Sequence, residues 1–379
     1  MITLGAAKCS DNARSEKPPN GELPLLVILW DPHDPKVTVR PTINQVEEMI
    51  FGSKPSIADY FETESMGKAH LVKAGIRSFD SDKPADHYWN HPQPGTPGGD
   101  SFLSGHVEKW AEAIKKADKD FDFAAYDYNG DKKLTPNELG ILIVIPQMTP
   151  FGTNRGVLGQ EYPTKKPLVV DGMTLTNIAE VYTGAGTETK GIPVNFGVIA
   201  HELGHLFFKM LDLYFNNPVT RPGSFSIMDV TYTDAQVDPY HRVRSGWITP
   251  QVITESGTYQ LSSVESSGQV LKIMRPKHSP AEYLILENRQ HGEYDTRLPD
   301  TGLAIWRFID NEKGSGWVEK NINLMRSPVA IGDKFALWHA PESPIADMLK
   351  WADGSDSGVV IRDISASGAM MSVTVELPK

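Results

Sequence analysis

His201 and His205 flank Glu202 in a His-Glu-x-x-His array inside the stretch Gly197 to Tyr214, GVIAHELGHLFFKMLDLY. On a helix, residues four apart share one face and are separated by a rise of about 6 Å, so both imidazoles can reach a single zinc ion at about 2.0–2.1 Å. Glu202 stands one step round the helix, placed to act on a zinc-bound water instead of ligating. Zinc lowers the pKa of such a water to about 7, and a carboxylate there can accept its proton and pass it to a leaving amine. The chemistry implied is hydrolysis of an amide bond. Phe196, Ile199, Leu203, Leu206, Phe207 and Met210 supply the apolar face that such a helix needs. The bland alternative is a buried helix whose histidines only make hydrogen bonds.

Two histidines leave a catalytic zinc short of a third protein ligand. Asp212, seven residues after His205, is the nearest downstream candidate, with Glu161, Glu180 and Glu188 as more remote ones. Asp212 also suits a helix C-terminus or a turn. A second oxygen-rich segment runs from Asp127 to Glu138, DYNGDKKLTPNE, with the spacing of an EF-hand calcium loop. Asp127, Asn129 and Asp131 fill positions 1, 3 and 5, Lys133 offers its backbone carbonyl at 7, and Glu138 stands at 12 as a bidentate ligand. Position 6, ordinarily glycine, is Lys132, so the sharp turn must be made another way, with Gly130 as the candidate. The competing assignment is an ordinary Asn-Gly turn before a strand.

Elements capable of positioning these residues can be read along the chain. Leu23 to Trp30, LPLLVILW, predicts a strand buried on both faces, and Gly140 to Pro146 a second. Helices are expected at Ile43 to Phe51, from the N-cap Ser56 to Met66, and at Leu103 to Ala117, with another strand at His70 to Ile76. Ser81 to Asp100, rich in Pro, Gly and His, reads as a long loop and a candidate cleft rim. Strands alternating with helices imply a mixed sheet covered by helices. Beyond residue 250 the pattern changes to short alternating runs: Thr258 to Val264, Val270 to Met274, Tyr283 to Asn288, Leu303 to Ile309, Phe335 to His339, Val359 to Ile364 and Met371 to Leu377. These predict a β-sandwich. The organisation expected is a tail at 1–22, a catalytic domain at 23–250 and a sandwich at 251–379.

Composition limits the partners. The chain has 379 residues, 37 Lys+Arg against 48 Asp+Glu, a formal net charge of -11, and one cysteine. With no basic patch, nucleic-acid and anionic-membrane binding are not expected. No apolar run is long enough to cross a membrane or to form a signal-peptide core. A single cysteine, Cys9, excludes an internal disulfide and a Cys-x-x-Cys metal site, so His and carboxylates must hold any transition metal. Cys9 could block a zinc only if the N-terminal tail crossed the cleft.

Several motifs in order resemble the immune inhibitor A type of secreted zinc metallopeptidases, relatives of the metzincins. They are Leu25 to Leu29, Ser56 to Phe61 with Ser65-Met66-Gly67-Lys68, Phe121 to Asp131, His201 to Tyr214, Ser224 to Met228, Ser245 to Pro250, Glu282-Tyr283 through Gln290, and Gly302 to Trp306. The resemblance implies an α+β fold: a metzincin-like catalytic domain, with a mixed sheet, an active-site helix and Met228 in a Met-turn beneath the zinc, followed by a β-sandwich. It implies a secreted zinc endopeptidase acting on proteins or peptides, with Zn2+ as catalytic cofactor and structural Ca2+, and a monomer is expected. Tyr232, shortly after the Met-turn, is the candidate oxyanion donor or else a packed loop tyrosine. Three departures stand out. Phe208 replaces a glycine three residues after His205, Asp212 comes one residue late, and Arg307 replaces a histidine after the Ile-Trp pair. Either the helix runs one residue longer before Asp212 turns to the metal, or the third ligand lies elsewhere. The alternatives are a catalytically weak or inactive binding or adhesion protein on the same fold, and an intracellular metallohydrolase of another substrate. The intact Glu202 favours the peptidase.

Overall fold

A computed structural model describes residues 20–89, 101–147, 156–159, 168–183, 196–214, 220–231, 233–310, 321–340 and 349–378, with backbone alone at 101–106 and 156–159. The chain divides into two compact units, one holding residues 20–62 and 67–209, the other 63–66 and 210–378.

The N-terminal unit contains β1 (Gly21–Asp31), α1 (Ile43–Phe51), α2 (Ile57–Glu64, whose last two residues belong to the other unit), β2 (Ala69–Asp80), α3 (Ala85–Trp89), α4 (Ser101–Ala117), β3 (Lys133–Leu134), β4 (Gly140–Ile145), β5 (Gly156–Gly159), β6 (Val169–Val170), β7 (Met173–Leu175), β8 (Ile178–Tyr182) and α5 (Phe196–Phe208). Its main sheet has the order β2-β1-β4-β8-β5. The first four strands are parallel, and β5 runs antiparallel at the edge. The apolar run of β1 is the expected doubly buried strand, flanked on both sides and buried from Leu25 to Trp30. Along one face Leu26, Ile28, Trp30, Ile141, Ile143 and Ile145 pack with Trp110, Ala113, Ile114 and Ala117 of α4. On the other face lies α5. The Phe207 ring comes so close to the start of β4 that a Cβ on Gly140 would sit 2.3 Å from its Cζ, so the glycine is there for close approach. Helix α1 begins where the sequence places it, with a Thr42–Gln45 capping box. Ser56 Oγ accepts the Asp59 N–H at 3.2 Å at the head of α2.

One expectation is corrected in this unit. Ser81 to Asp100 is not loop throughout, since Ala85–Trp89 is helical. Tyr88 packs edge-on against Trp30 at 4.9 Å and donates to Glu112 at 2.6 Å, contacts that no local pattern reveals. Residues 90–100 lie outside the described residues.

The C-terminal unit contains α6 (Pro239–Arg244), β9 (Gln251–Val252), β10 (Gly257–Ser262), α7 (Val264–Ser267), β11 (Leu271–Met274), β12 (Ala281–Arg289), β13 (Gly302–Asp310), β14 (Ile322–Leu324), β15 (Val360–Arg362) and β16 (Met370–Glu376). Two sheets form, β14-β13-β12-β11-β9 and β10-β16-β15. Alternate residues of the first, Leu271, Ile273, Leu284, Leu286, Leu303 and Ile305, share one core with Leu261, Ile361, Met371, Val373 and Val375 of the second. That is the period-2 burial of two stacked sheets. Phe335 to His339 does not form the expected strand: Phe335 is exposed with φ 55°, and Trp338 makes only an isolated bridge to Leu303. The short β14 pairs with β13 instead.

Residues 210–250 group with these sheets, whereas the sequence pattern places a boundary near 250. Long-range hydrogen bonds account for the difference. Arg289 of β12 donates to the Phe225 carbonyl at 3.1 Å, Gln236 N–H donates to Asp295 at 2.8 Å, and Leu324 N–H donates to the Thr220 carbonyl at 2.9 Å. The Glu287-Asn288-Arg289 run is therefore an internal anchor. Arg289 also binds Asp295 and Glu287, with all three side chains fully buried. Burial pushes Asp295 up to about 6, against the opposing pull of the Arg289 guanidinium. The whole is mixed α+β, and no helix among the described residues is long and apolar enough to cross a membrane.

Candidate metal centre

Helix α5 carries the two histidines on a buried scaffold. Every residue from Phe196 to Phe208 is buried except His205, which is partly exposed. Phe196 packs edge-on against Tyr60 at 5.7 Å, and Phe208 lies against Phe61 at 5.3 Å with the ring planes tilted by 37°. The four-residue spacing does what the sequence implies: the Nε2 atoms of His201 and His205 lie 3.0 Å apart, their rings nearly perpendicular. Two nitrogens bound tetrahedrally at about 2.0–2.1 Å would be about 3.3 Å apart, so a small side-chain adjustment suffices. Glu202, between them in sequence, is 4% exposed.

Asp212 belongs to the same continuous stretch, four residues beyond the end of α5. Two nitrogens and a carboxylate oxygen are a fitting donor set for zinc. The chain reaches Asp212 through a turn just past Phe208. Helix α5 ends at Phe208, and it is Lys209 that adopts the left-handed conformation, φ 53°, with its N–H bonded to the His205 carbonyl at 3.1 Å. The helix thus ends one residue later than a turn at position 208 would end it. Turn and acid both move by one, so their separation of three residues is kept. Beyond the turn, the Leu213 N–H donates to the Met228 carbonyl at 2.9 Å and Tyr214 Oη donates to Asp212 Oδ2 at 2.9 Å. The role of Tyr214 was not read from sequence, although a tyrosine two residues from a suspected ligand is a usable signal.

Met228 is fully buried, and its N–H donates to Ser226 Oγ at 3.2 Å. Ser226 Oγ in turn donates to Asp238 Oδ2 at 3.0 Å. Asp238 caps α6 through the His241 N–H and also meets His241 Nδ1 at 2.7 Å. Burial works to raise the Asp238 carboxyl, and the His241 side chain together with hydrogen bonds from His241 and Ser226 outweighs it, holding the group below its usual range. Glu180, one of the remoter zinc candidates, is instead fully buried in an ion pair with Lys109 Nζ at 3.0 Å and accepts from Trp110. Glu161, Glu188, Tyr232 and Cys9 lie outside the described residues.

The Asp127–Glu138 segment forms a self-bonded loop. Asp127 Oδ1 accepts from the Gly130 and Asp131 amides, and its Oδ2 from Lys132, at 3.0–3.2 Å. Asn129 Oδ1 accepts from the Asp131 amide and Asp131 Oδ1 from Lys133, both at 2.8 Å. The turn is made by both Gly130, φ 75°, and Lys132, φ 62°, so lysine itself takes the left-handed position where glycine is usual. Glu138 Oε2 accepts from the Thr135 amide and hydroxyl, while its Oε1 is buried without a hydrogen-bond partner among the described residues. Lys133 lies in β3, which pairs with β7. An orphaned buried carboxylate oxygen at position 12 fits a calcium loop.

A third grouping, Asp31, His33 and Asp80, also brings ligand atoms within 4.8 Å. Arg40 Nε lies 2.8 Å from Asp31 Oδ2, so a cation there would meet a guanidinium already neutralising the acid.

No protein-family model and no curated protein matches this chain.

Proposed function

We propose that the chain is a zinc-dependent endopeptidase of metzincin-like architecture. The observation that carries this reading is the pairing of His201 and His205, with Nε2 atoms 3.0 Å apart on one face of a buried helix, beside Glu202 and followed seven residues on by Asp212. His201, His205 and Asp212 would hold the metal, which supplies Lewis-acid activation of water and of a scissile carbonyl. The Glu202 carboxylate takes a proton from the attacking water and returns it to the leaving nitrogen. The mixed sheet that packs on α5, four parallel strands with β5 antiparallel at the edge, is of the kind the resemblance implies. A calcium ion held by Asp127, Asn129, Asp131, the Lys133 carbonyl and Glu138 would be structural, and secretion follows from the resemblance alone.

The test is metal analysis of the purified chain alongside cleavage of a denatured protein substrate, for wild type and Glu202→Gln. One zinc per chain in both, with cleavage in wild type only, is expected. Stoichiometric zinc without cleavage in wild type would replace this reading with the binding-protein one, and absence of zinc binding would overturn it entirely.

A further inference from the structure

Asp212 lies in backbone without regular structure, residues 209 to 213, which an isolated chain would sample widely. Ordering such backbone costs conformational entropy at every residue. Something must supply that order before a metal arrives, or the metal's own affinity is spent on it. The amides on either side of Asp212 are both held. Leu213 N–H donates to the Met228 carbonyl, and Leu211 N–H donates to His241 Nε2 at 3.0 Å.

The second of these bonds fixes the state of His241. A backbone N–H can only donate, so Nε2 must be the acceptor and Nδ1 must carry the proton, which it gives to Asp238 Oδ2 at 2.7 Å. Both side chains are buried, His241 at 1% exposure and Asp238 at 0%. Asp238 receives three donors in all: the His241 ring, the His241 amide and the Ser226 hydroxyl. Ser226 Oγ also accepts the Met228 N–H. The clamp on Leu211 and the clamp on Leu213 thus meet at one serine.

We propose that Asp238 and His241 are positioning residues for the third metal ligand: through the Leu211 amide they hold the Asp212 segment in its ligating conformation. The inference rests on Asp212 serving as a zinc ligand. Zinc ligands commonly depend on such outer partners, whose loss costs about 10–100-fold in metal affinity. Here the partner acts on the backbone beside the ligand.

The experiment uses the full chain, freed of metal and titrated with zinc against a competing chromophoric chelator, with hydrogen exchange at the Leu211 amide measured in the metal-free protein. His241→Asn, whose short amide does not reach Leu211, should weaken zinc binding about 10–100-fold and speed exchange at Leu211. His241→Gln places a carbonyl oxygen near the former Nε2 and should restore both values to within about threefold. If His241→Asn fails to fold, Asp238→Asn makes the same comparison, since one of the three donors would then face an amide N–H in place of an acceptor. Unchanged zinc affinity in a folded His241→Asn or Asp238→Asn protein would overturn the inference, as would a His241→Gln protein as weak as His241→Asn. Wild-type protein that binds no zinc would overturn the metal reading beneath it, a result distinguishable from the others because it needs no variant.

Discussion

The helix that carries His201 and His205 and the loop from Asp127 to Glu138 answer the same problem, holding candidate ligand groups in place, in opposite ways. In the loop the donors come from the loop itself: the amides of Gly130, Asp131, Lys132 and Lys133 satisfy the carboxylates and the Asn129 carbonyl within five residues. At the helix end the supports are distant in sequence. Asp212 is flanked by amides tied to Met228 and His241, and those groups are tied in turn to Ser226 and Asp238. Arg289 then fixes the Phe225 carbonyl from a strand 64 residues away. A site built locally can be rearranged by its ion at little cost to the rest of the chain. One built from long-range contacts is shaped by the fold and shares its stability.

The contrast breaks most sharply on activity. Glu202→Gln should lower peptide cleavage by about 10²–10⁴-fold, the usual contribution of a positioned general acid-base group, while zinc content stays at wild-type level. Glu138→Gln in the loop should leave kcat within about twofold at temperatures well below melting. If loop and helix variants lost activity equally, the two regions would not be functionally separable. Next in size, Asp212→Ala should weaken zinc binding by about 100-fold or more, measured by chelator competition. Full zinc content and full activity in that variant would remove Asp212 from the ligand set.

Long-range support also makes the C-terminal unit sensitive to pH. Glu64 Oε2 accepts the Val237 N–H at 2.9 Å, and the Glu64 carbonyl accepts from Arg242 at 3.2 Å, which ties this glutamate to the 236–242 stretch. Burial pushes Glu64 up to about 8, more than the nearby Arg242 guanidinium lowers it. Between pH 4.5 and 8 the folded form keeps its proton and the unfolded form has released it. The unfolded state then binds fewer protons, so stability falls as pH rises, by up to about 1.4 kcal/mol per pH unit, and is greatest below 4.5 as far as this group is concerned. Denaturant titrations across this range should show that slope, and Glu64→Gln should flatten it. An unchanged slope in the variant would assign the pH dependence to other groups.

These differences in construction also decide how much the sequence reveals. Local features were legible: the buried runs at Leu23 to Trp30 and Gly140 to Ile145, helix α1 with its capping box, and the i, i+4 pairing of His201 and His205 all follow from periodicity and spacing. Features set at long range were not. Helix α3 depends on Trp30 and Glu112, β14 has three residues and exists by pairing with β13, and Phe335 to His339 reads as a strand but has no continuous partner. At helix α5, spacing nominated Asp212 as a candidate yet left its route open, because the left-handed residue is Lys209, which no propensity would nominate. His241 gave no signal at all, since its role is defined by an amide 30 residues earlier.

Calcium offers a smaller test of the same comparison. A loop whose Asp127, Asn129 and Asp131 oxygens already accept from its own amides, with Glu138 Oε1 left over, gains from an ion chiefly through affinity for the folded state. Calcium at about 100 times its Kd should therefore stabilise the chain by about 2.7 kcal/mol, read as a rise in melting temperature with zinc held in excess. Glu138→Gln should remove most of that rise. A melting temperature indifferent to calcium in the wild type would leave the segment an ordinary Asn-Gly turn.

The smallest effect concerns the lysines that stand in left-handed backbone in both regions. Lys132 at φ 62° and Lys209 at φ 53° each carry a Cβ in a conformation that costs about 1–2 kcal/mol for residues other than glycine. At Lys132 the loop is exposed, so Lys132→Gly should relieve that strain, offset in part by the greater freedom of glycine in the unfolded chain, for a net gain of about 0.5–1 kcal/mol. Lys209 closes a buried helix and leads to Asp212. There the same stabilisation from Lys209→Gly should be accompanied by a change in zinc affinity, because the turn sets the path of the ligand segment. Thermal melts and zinc titrations of the two variants separate the cases. Equal stabilisation with zinc affinity unchanged in both would mean that the helix end, like the loop, adjusts locally.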